Sequence, residues 1–163
     1  MQPTEARLAR LEAAEAIRKA VYSYAMAGDR ANDPVMVRGL FTEDASYEAR
    51  GMARFEGLDN IVNGLTELAR TVVVWSFHAP GGPWIELSED ASCARVFWWA
   101  WVPVALRSGD GKTVPHWGAG QYNANMVSRQ DGWKFKSLLF EPRLRTPFEG
   151  PWTAVDGPFE WPR

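Results

Sequence analysis

Apolar residues in the first third of the chain recur at three- and four-residue steps. Leu8, Leu11, Ala14, Ile17, Val21 and Tyr24 line one stripe of a long first helix, with Thr4 placed to cap its start and Gly28 marking its end. Asp33 then precedes Pro34, a capping side chain before a first-turn proline, and Val37, Leu40 and Phe41 supply the apolar side of a short second helix. A short strand is predicted around Ser46 to Arg50. Ile61, Val62, Leu65, Leu68 and Ala69 predict a third helix, capped by Asp59 and complete near residue 70.

Beyond Val72 the pattern changes period. The runs TVVVWSFH, PWIELS, SCARVFWWAWVPVAL, TVPHWGAGQYNANMVSR and GWKFKSLLF are rich in β-branched and aromatic residues, and Gly, Asp or Pro clusters separate them. An antiparallel meander is the simplest arrangement. Strands this long must twist and curl, so the predicted fold is α+β: three N-terminal helices packed on the concave side of a strongly curved, mainly antiparallel sheet, forming a cone-shaped barrel. Residues 1–145 are expected to form one domain. The stretch from Glu141 onward is dense in Pro, Gly and aromatic residues and predicts an irregular arm, assigned to 146–163 of the same domain.

Composition narrows the class of function. A chain of 163 residues with 46% hydrophobic and 23% charged residues suits one globular domain. The formal net charge is −2 with no block of like charge, which argues against nucleic-acid or membrane partners. The lone Cys93 can form no internal disulfide and the first residues show no apolar signal core, so the expected compartment is the cytoplasm. Two distant histidines and one cysteine give no short-spaced ligand pair, so neither a metal nor any other cofactor is expected. Nine tryptophans stand out. Their indoles suit a core and equally suit a pocket that stacks on an aromatic ligand, the role in which Trp98 is a candidate. Exposed indoles at Trp75, Trp99, Trp101 and Trp117 would favour self-association, giving a homodimer or homotrimer.

Candidate chemistry centres on the histidines. Alternate residues of a strand share a face, which puts Val72, Val74, Ser76 and His78 of the first long strand on one side and Val73, Trp75 and Phe77 on the other. His116 shares its face with Val114, Gly118, Gly120 and Tyr122, and the two glycines would leave empty volume, although Gly in a strand equally marks a bulge. Asp29 follows the apolar stripe that ends at Tyr24. It is either a solvated loop residue or a carboxylate that reaches a histidine ring nitrogen and fixes its tautomer.

The order of a long helix, LFTEDASYEARG, FEGLDNIVNGL, a histidine at 78 and GAGQYNANMVSRQDGWKFKSLLFEP resembles the SnoaL-like branch of the nuclear transport factor 2-like superfamily. That branch includes scytalone dehydratase and bile acid 7α-dehydratase. The resemblance implies His78 as general base, Asp29 as its orienting partner, Tyr24 as a donor to substrate and His116 as a second active-site histidine. It also implies substrate contacts from Arg143 or Arg145 on the final strand and from Tyr47; Trp98 and Tyr122 are further candidate substrate contacts. The activity it implies is a cofactor-independent lyase that eliminates water from an aromatic or polycyclic small molecule. Two alternatives stay open: a retro-aldol carbon–carbon lyase releasing formaldehyde from a lignin-type diaryl diol, and a non-catalytic small-molecule or protein binding module of the same fold.

Overall fold

The computed structural model describes residues 4–149. Helix α1 (Thr4–Asp29) takes Thr4 as its first helical residue and buries Ile17, Ala20, Val21, Tyr24, Ala25 and Ala27. The predicted stripe is only half used. Leu8 and Leu11 are 54% and 68% exposed, and the contact from these turns to the strands is polar: Arg10 Nη1 donates to the Ser88 carbonyl at 2.8 Å.

Helix α2 (Pro34–Leu40) starts as its sequence predicts: the Asp33 side chain accepts from the Val35 and Met36 amides, and proline occupies the first turn, where a missing N–H costs nothing. Strand β1 (Phe41–Ala49) follows without a loop, so it begins five residues before the expected Ser46. It turns through Gly51, at φ +72°, into β2 (Ala53–Glu56), a strand the sequence pattern did not predict. Helix α3 (Leu58–Thr71) corrects the expected Asp59 cap. Gly57, at φ +82°, holds the cap position, and Asp59 sits in the first turn, where it accepts from Arg38 at 2.7 Å.

The remaining strands are β3 (Val73–Ser76), β4 (Ala79–Pro80), β5 (Trp84–Leu87), β6 (Cys93–Trp101), β7 (Val104–Arg107), β8 (Thr113–Arg129) and β9 (Gly132–Pro147). The run SCARVFWWAWVPVAL is two strands. Pro103 has no amide to offer a ladder, and the Val102 amide turns to the Gly118 carbonyl at 2.7 Å. Strand β9 carries Glu141 to Pro147 into the sheet, and of the predicted arm residues 150–163 lie outside those described.

Among the described residues the strands form one nine-stranded sheet, ordered β2-β1-β9-β8-β6-β4, with β5 on β6 and β7 bridging β3 and β8. It is strongly curved and does not close into a barrel. The sheet is mixed rather than a pure meander: β1 runs parallel to β9, pairing Tyr47 with Leu138 and Ala49 with Phe140. The three helices pack on the curved face, and Ile17, Val21, Ile61, Trp98, Met126, Phe135 and Leu138 fill the space between. Burying each such side chain contributes about 1.5–3 kcal/mol relative to leaving it in water.

Candidate active site

His78 stands where the sheet is interrupted, between β3 and β4. The predicted regular alternation fails just before it. Val73 pairs with Leu106 and Trp75 with Ala105, so Val74 is an extra residue in the strand and bulges outward. Val73, Ser76 and His78 face a cavity, whereas Val72 and Val74 are exposed. Ser76 Oγ donates to the Gly28 carbonyl at 3.2 Å and ties this strand to the end of α1.

Asp29 is not a solvated loop residue. Its Oδ1 accepts from the His78 backbone amide at 2.8 Å and lies 2.7 Å from His78 Nδ1. The two side chains are only 27% and 17% exposed, respectively. A carboxylate oxygen can only accept, so in the neutral imidazole this contact places the ring proton on Nδ1 and leaves the lone pair on Nε2. The second acceptance, from the backbone amide, fixes the carboxylate relative to the residue whose ring it orients.

Tyr24, Tyr47 and Tyr122 line the other side of the cavity and are all buried. Burial pushes the Tyr24 phenol well above the ordinary tyrosine range, and the neighbouring Tyr47 and Tyr122, which also share hydrogen bonds with it, push it further. Burial likewise raises Tyr47. Tyr122 is raised well above its ordinary value by burial first, then by Tyr47 and Asp29 nearby. Phenols held neutral in this way remain donors. Most of the rest of the wall is apolar, including Leu65, Leu68, Val104, Leu106 and Phe140, and the cavity volume is about 130 Å³.

The other candidate residues fall elsewhere. His116 lies outside the cavity lining: its strand pairs with Val104 on one side and Pro147 on the other, and its Nδ1 is 2.9 Å from the Val114 carbonyl. Trp98 is core, stacked on the far face of Tyr122 at 4.8 Å, and no tryptophan among the described residues lines the cavity. Trp101 and Trp117 pack together at 5.4 Å, and Phe148 lies 4.9 Å from Trp117. Of the two arginines, Arg145 lines the cavity. Arg143 is the extra residue where Leu144 pairs with Ala119 and Pro142 with Gly120, and it donates to Gln121 Oε1 at 3.4 Å. The volume expected above the strand glycines is largely filled, by the Val102 carbonyl over Gly118 and the Phe140 ring over Gly120. Sequence reasoning missed Asn32, which also lines the cavity and donates to the Leu65 carbonyl at 2.9 Å. Its φ of +53°, a conformation asparagine tolerates, was signalled only by the turn-rich GDRAND.

Among the described residues no group of three His, Cys, Asp or Glu side chains gathers as a metal site, and no helix is long and apolar enough to cross a membrane. The sequence profile of the SnoaL-like domain matches residues 9–138. No curated protein sequence matches. Among solved structures, a scytalone dehydratase-like protein from Novosphingobium aromaticivorans DSM 12444 superposes with a TM-score of 0.75 at 20% identity, covering 97% of this chain and 100% of the other. The hexachlorocyclohexane dehydrochlorinase LinA-type3 from Novosphingobium barchaimii LL02 gives 0.77 at 17% identity, covering 92% and 99%. A nuclear transport factor 2-like superfamily protein from Salmonella enterica gives 0.71 at 15% identity, covering 88% and 99%. At these identities the likeness is one of fold.

Proposed function

The chain belongs to the SnoaL-like domain family, and from that premise we propose that it is a cofactor-independent lyase whose base is His78. The observation that carries the reading is the 2.7 Å contact between His78 Nδ1 and Asp29 Oδ1 at the wall of an apolar cavity. A binding module needs no oriented imidazole. His78 Nε2 takes a proton from a substrate carbon, the C–H electron pair forms a double bond, and the C–O bond on the neighbouring carbon breaks. Tyr24, which lines the same cavity and is held neutral chiefly by burial, donates to the substrate oxygen. The proton removed and the hydroxide lost together make water, so the elimination balances without an oxidant or reductant. His116, outside the cavity, has no part in this scheme.

Size refines the substrate. A cavity of about 130 Å³ is close to the volume, about 150 Å³, of an apolar protein cavity that takes benzene. It therefore has room for a single aromatic ring. Retro-aldol cleavage uses the same base, and the products separate the two reactions.

The test is a panel of single-ring aromatic alcohols and diols incubated with wild type and His78→Ala, analysed by mass spectrometry. Water loss with every carbon retained is expected from the wild type, and the variant should be slower by about 10²–10⁴-fold, the contribution of a positioned base. A shortened carbon skeleton would assign the retro-aldol reaction instead. Equal turnover by His78→Ala would remove the mechanism.

A further inference from the structure

Gly28 looks at first like a helix terminator, and its position near the end of α1 suits that role. The backbone excludes it. Helix α1 continues through Asp29, and the positive-φ glycines among the described residues are Gly51, Gly57, Gly111 and Gly132, not Gly28. A helical glycine between Ala27 and Asp29 lowers helix propensity without supplying a left-handed cap. Space explains it better. A Cβ built on Gly28 would lie 2.7 Å from His78 Cε1, 3.0 Å from Nδ1 and 3.4 Å from Nε2, so the three nearest atoms all belong to one imidazole. The ring rests against the bare backbone of α1.

We propose that Gly28 is a positioning residue: the absence of its side chain lets the His78 ring lie against α1 with Nδ1 on Asp29 and Nε2 toward the cavity. The inference rests on the lyase reading for its catalytic consequence and on geometry alone for its structural one. Ordinary contact with a methyl group needs at least 3.4 Å, so Gly28→Ala must push the ring and the α1 backbone apart by more than half an ångström. The contact to Asp29 cannot survive that unchanged. The ring cannot follow its present partner either, because Asp29 is the next residue in the same helix and its Oδ1 also accepts from the His78 amide. Displacements on the order of 1 Å at a reacting group cost roughly 10²-fold in rate.

The experiment needs no substrate in its first arm. The chain has two histidines, so a long-range ¹H–¹⁵N spectrum of the imidazoles resolves both, with His78→Ala giving the assignment and His116 an internal reference. Wild type should show His78 protonated at Nδ1. Gly28→Ala should shift the His78 ring nitrogens or mix its tautomers, leave His116 unchanged and keep the melting temperature within a few degrees. A His78 pattern identical to wild type would overturn the proposal. If Gly28→Ala folds poorly, the double variant Gly28→Ala/His78→Ala decides the matter: with the imidazole gone, the added methyl should no longer destabilise, and a persistent loss would overturn the proposal. The second arm measures turnover of whichever aromatic alcohol or diol the wild type converts. Gly28→Ala should lower kcat about 10²-fold with KM little changed. Wild-type turnover in Gly28→Ala alongside inactive His78→Ala would refute the role of Gly28 and leave the base in place. Active His78→Ala would refute the base, and the spectrum would still judge the ring placement.

Discussion

The cavity has two walls built on opposite principles. On one side His78 and Asp29 sit at a break in the sheet and the end of a helix, partly exposed, and are held by two hydrogen bonds to a single oxygen. On the other, Tyr24, Tyr47 and Tyr122 are embedded in the core, with Tyr24 edge-on to Tyr122 at 5.9 Å and Trp98 stacked behind Tyr122. One wall is positioned by a few polar contacts and an empty space beside Gly28, the other by close packing. A group that must exchange protons needs a free lone pair and room. A group that must remain a fixed donor is best surrounded.

That contrast is sharpest if the two walls fail in different ways. Trp98→Ala should destabilise the domain by about 3–5 kcal/mol, the usual cost of deleting a fully buried large aromatic, as measured by chemical denaturation. His78→Ala should cost only about 1 kcal/mol of stability, one hydrogen bond to a partly exposed partner, while lowering turnover by about 10²–10⁴-fold. Comparable stability losses would mean that both walls are equally part of the core.

Alkaline pH probes the tyrosine wall next. In an unfolded chain the three phenols ionise near pH ~10, and burial raises all three in the fold. Their stabilising contribution is therefore fully present below about pH 10 and is lost as pH rises through the higher folded values. Tyrosinate absorbance, followed in a Tyr22→Phe variant to remove the fourth tyrosine, should rise together with loss of the folded signal. Ionisation of all three near pH ~10 in an intact fold would show that the wall is open to water.

The packed wall was also the more legible of the two. Tyr24 closes a helical stripe, and the Asp33-Pro34 start is written in adjacent residues. Local signals ran out where pairing decided the outcome. The parallel match of β1 with β9 joins segments ninety residues apart, and no local pattern specifies it. The bulges at Val74 and Arg143 shift parity by one residue, which is why regular alternation placed Val74 beside His78 and left the choice between Arg143 and Arg145 open. His116 shared a face with the glycine row, but those glycines were there for the Val102 carbonyl and the Phe140 ring. The resemblance placed Tyr24, Asp29 and His78 together. It carried no information about Gly28, whose role depends on a distance.

The smallest effect concerns the loop that follows Asp29 at the end of α1. Ala31 and Asn32 both have positive φ there, at 57° and 53°, a conformation that costs a non-glycine residue energy and persists only where contacts hold it. Two contacts do so: Asn32 Nδ2 on the Leu65 carbonyl, and the Asp33 cap of α2. Helix α2 has seven residues, too short to persist on propensity alone. Asp33→Ala should therefore lower stability by about 1 kcal/mol, a drop of about 2–4 °C in Tm for a domain of this size. Hydrogen exchange should localise the loosening to residues 30–40, with the amides of α1 around Tyr24 unchanged. If protection falls equally at Tyr24, the two walls open as one unit, and the division between a polar hinge and a packed wall does not hold.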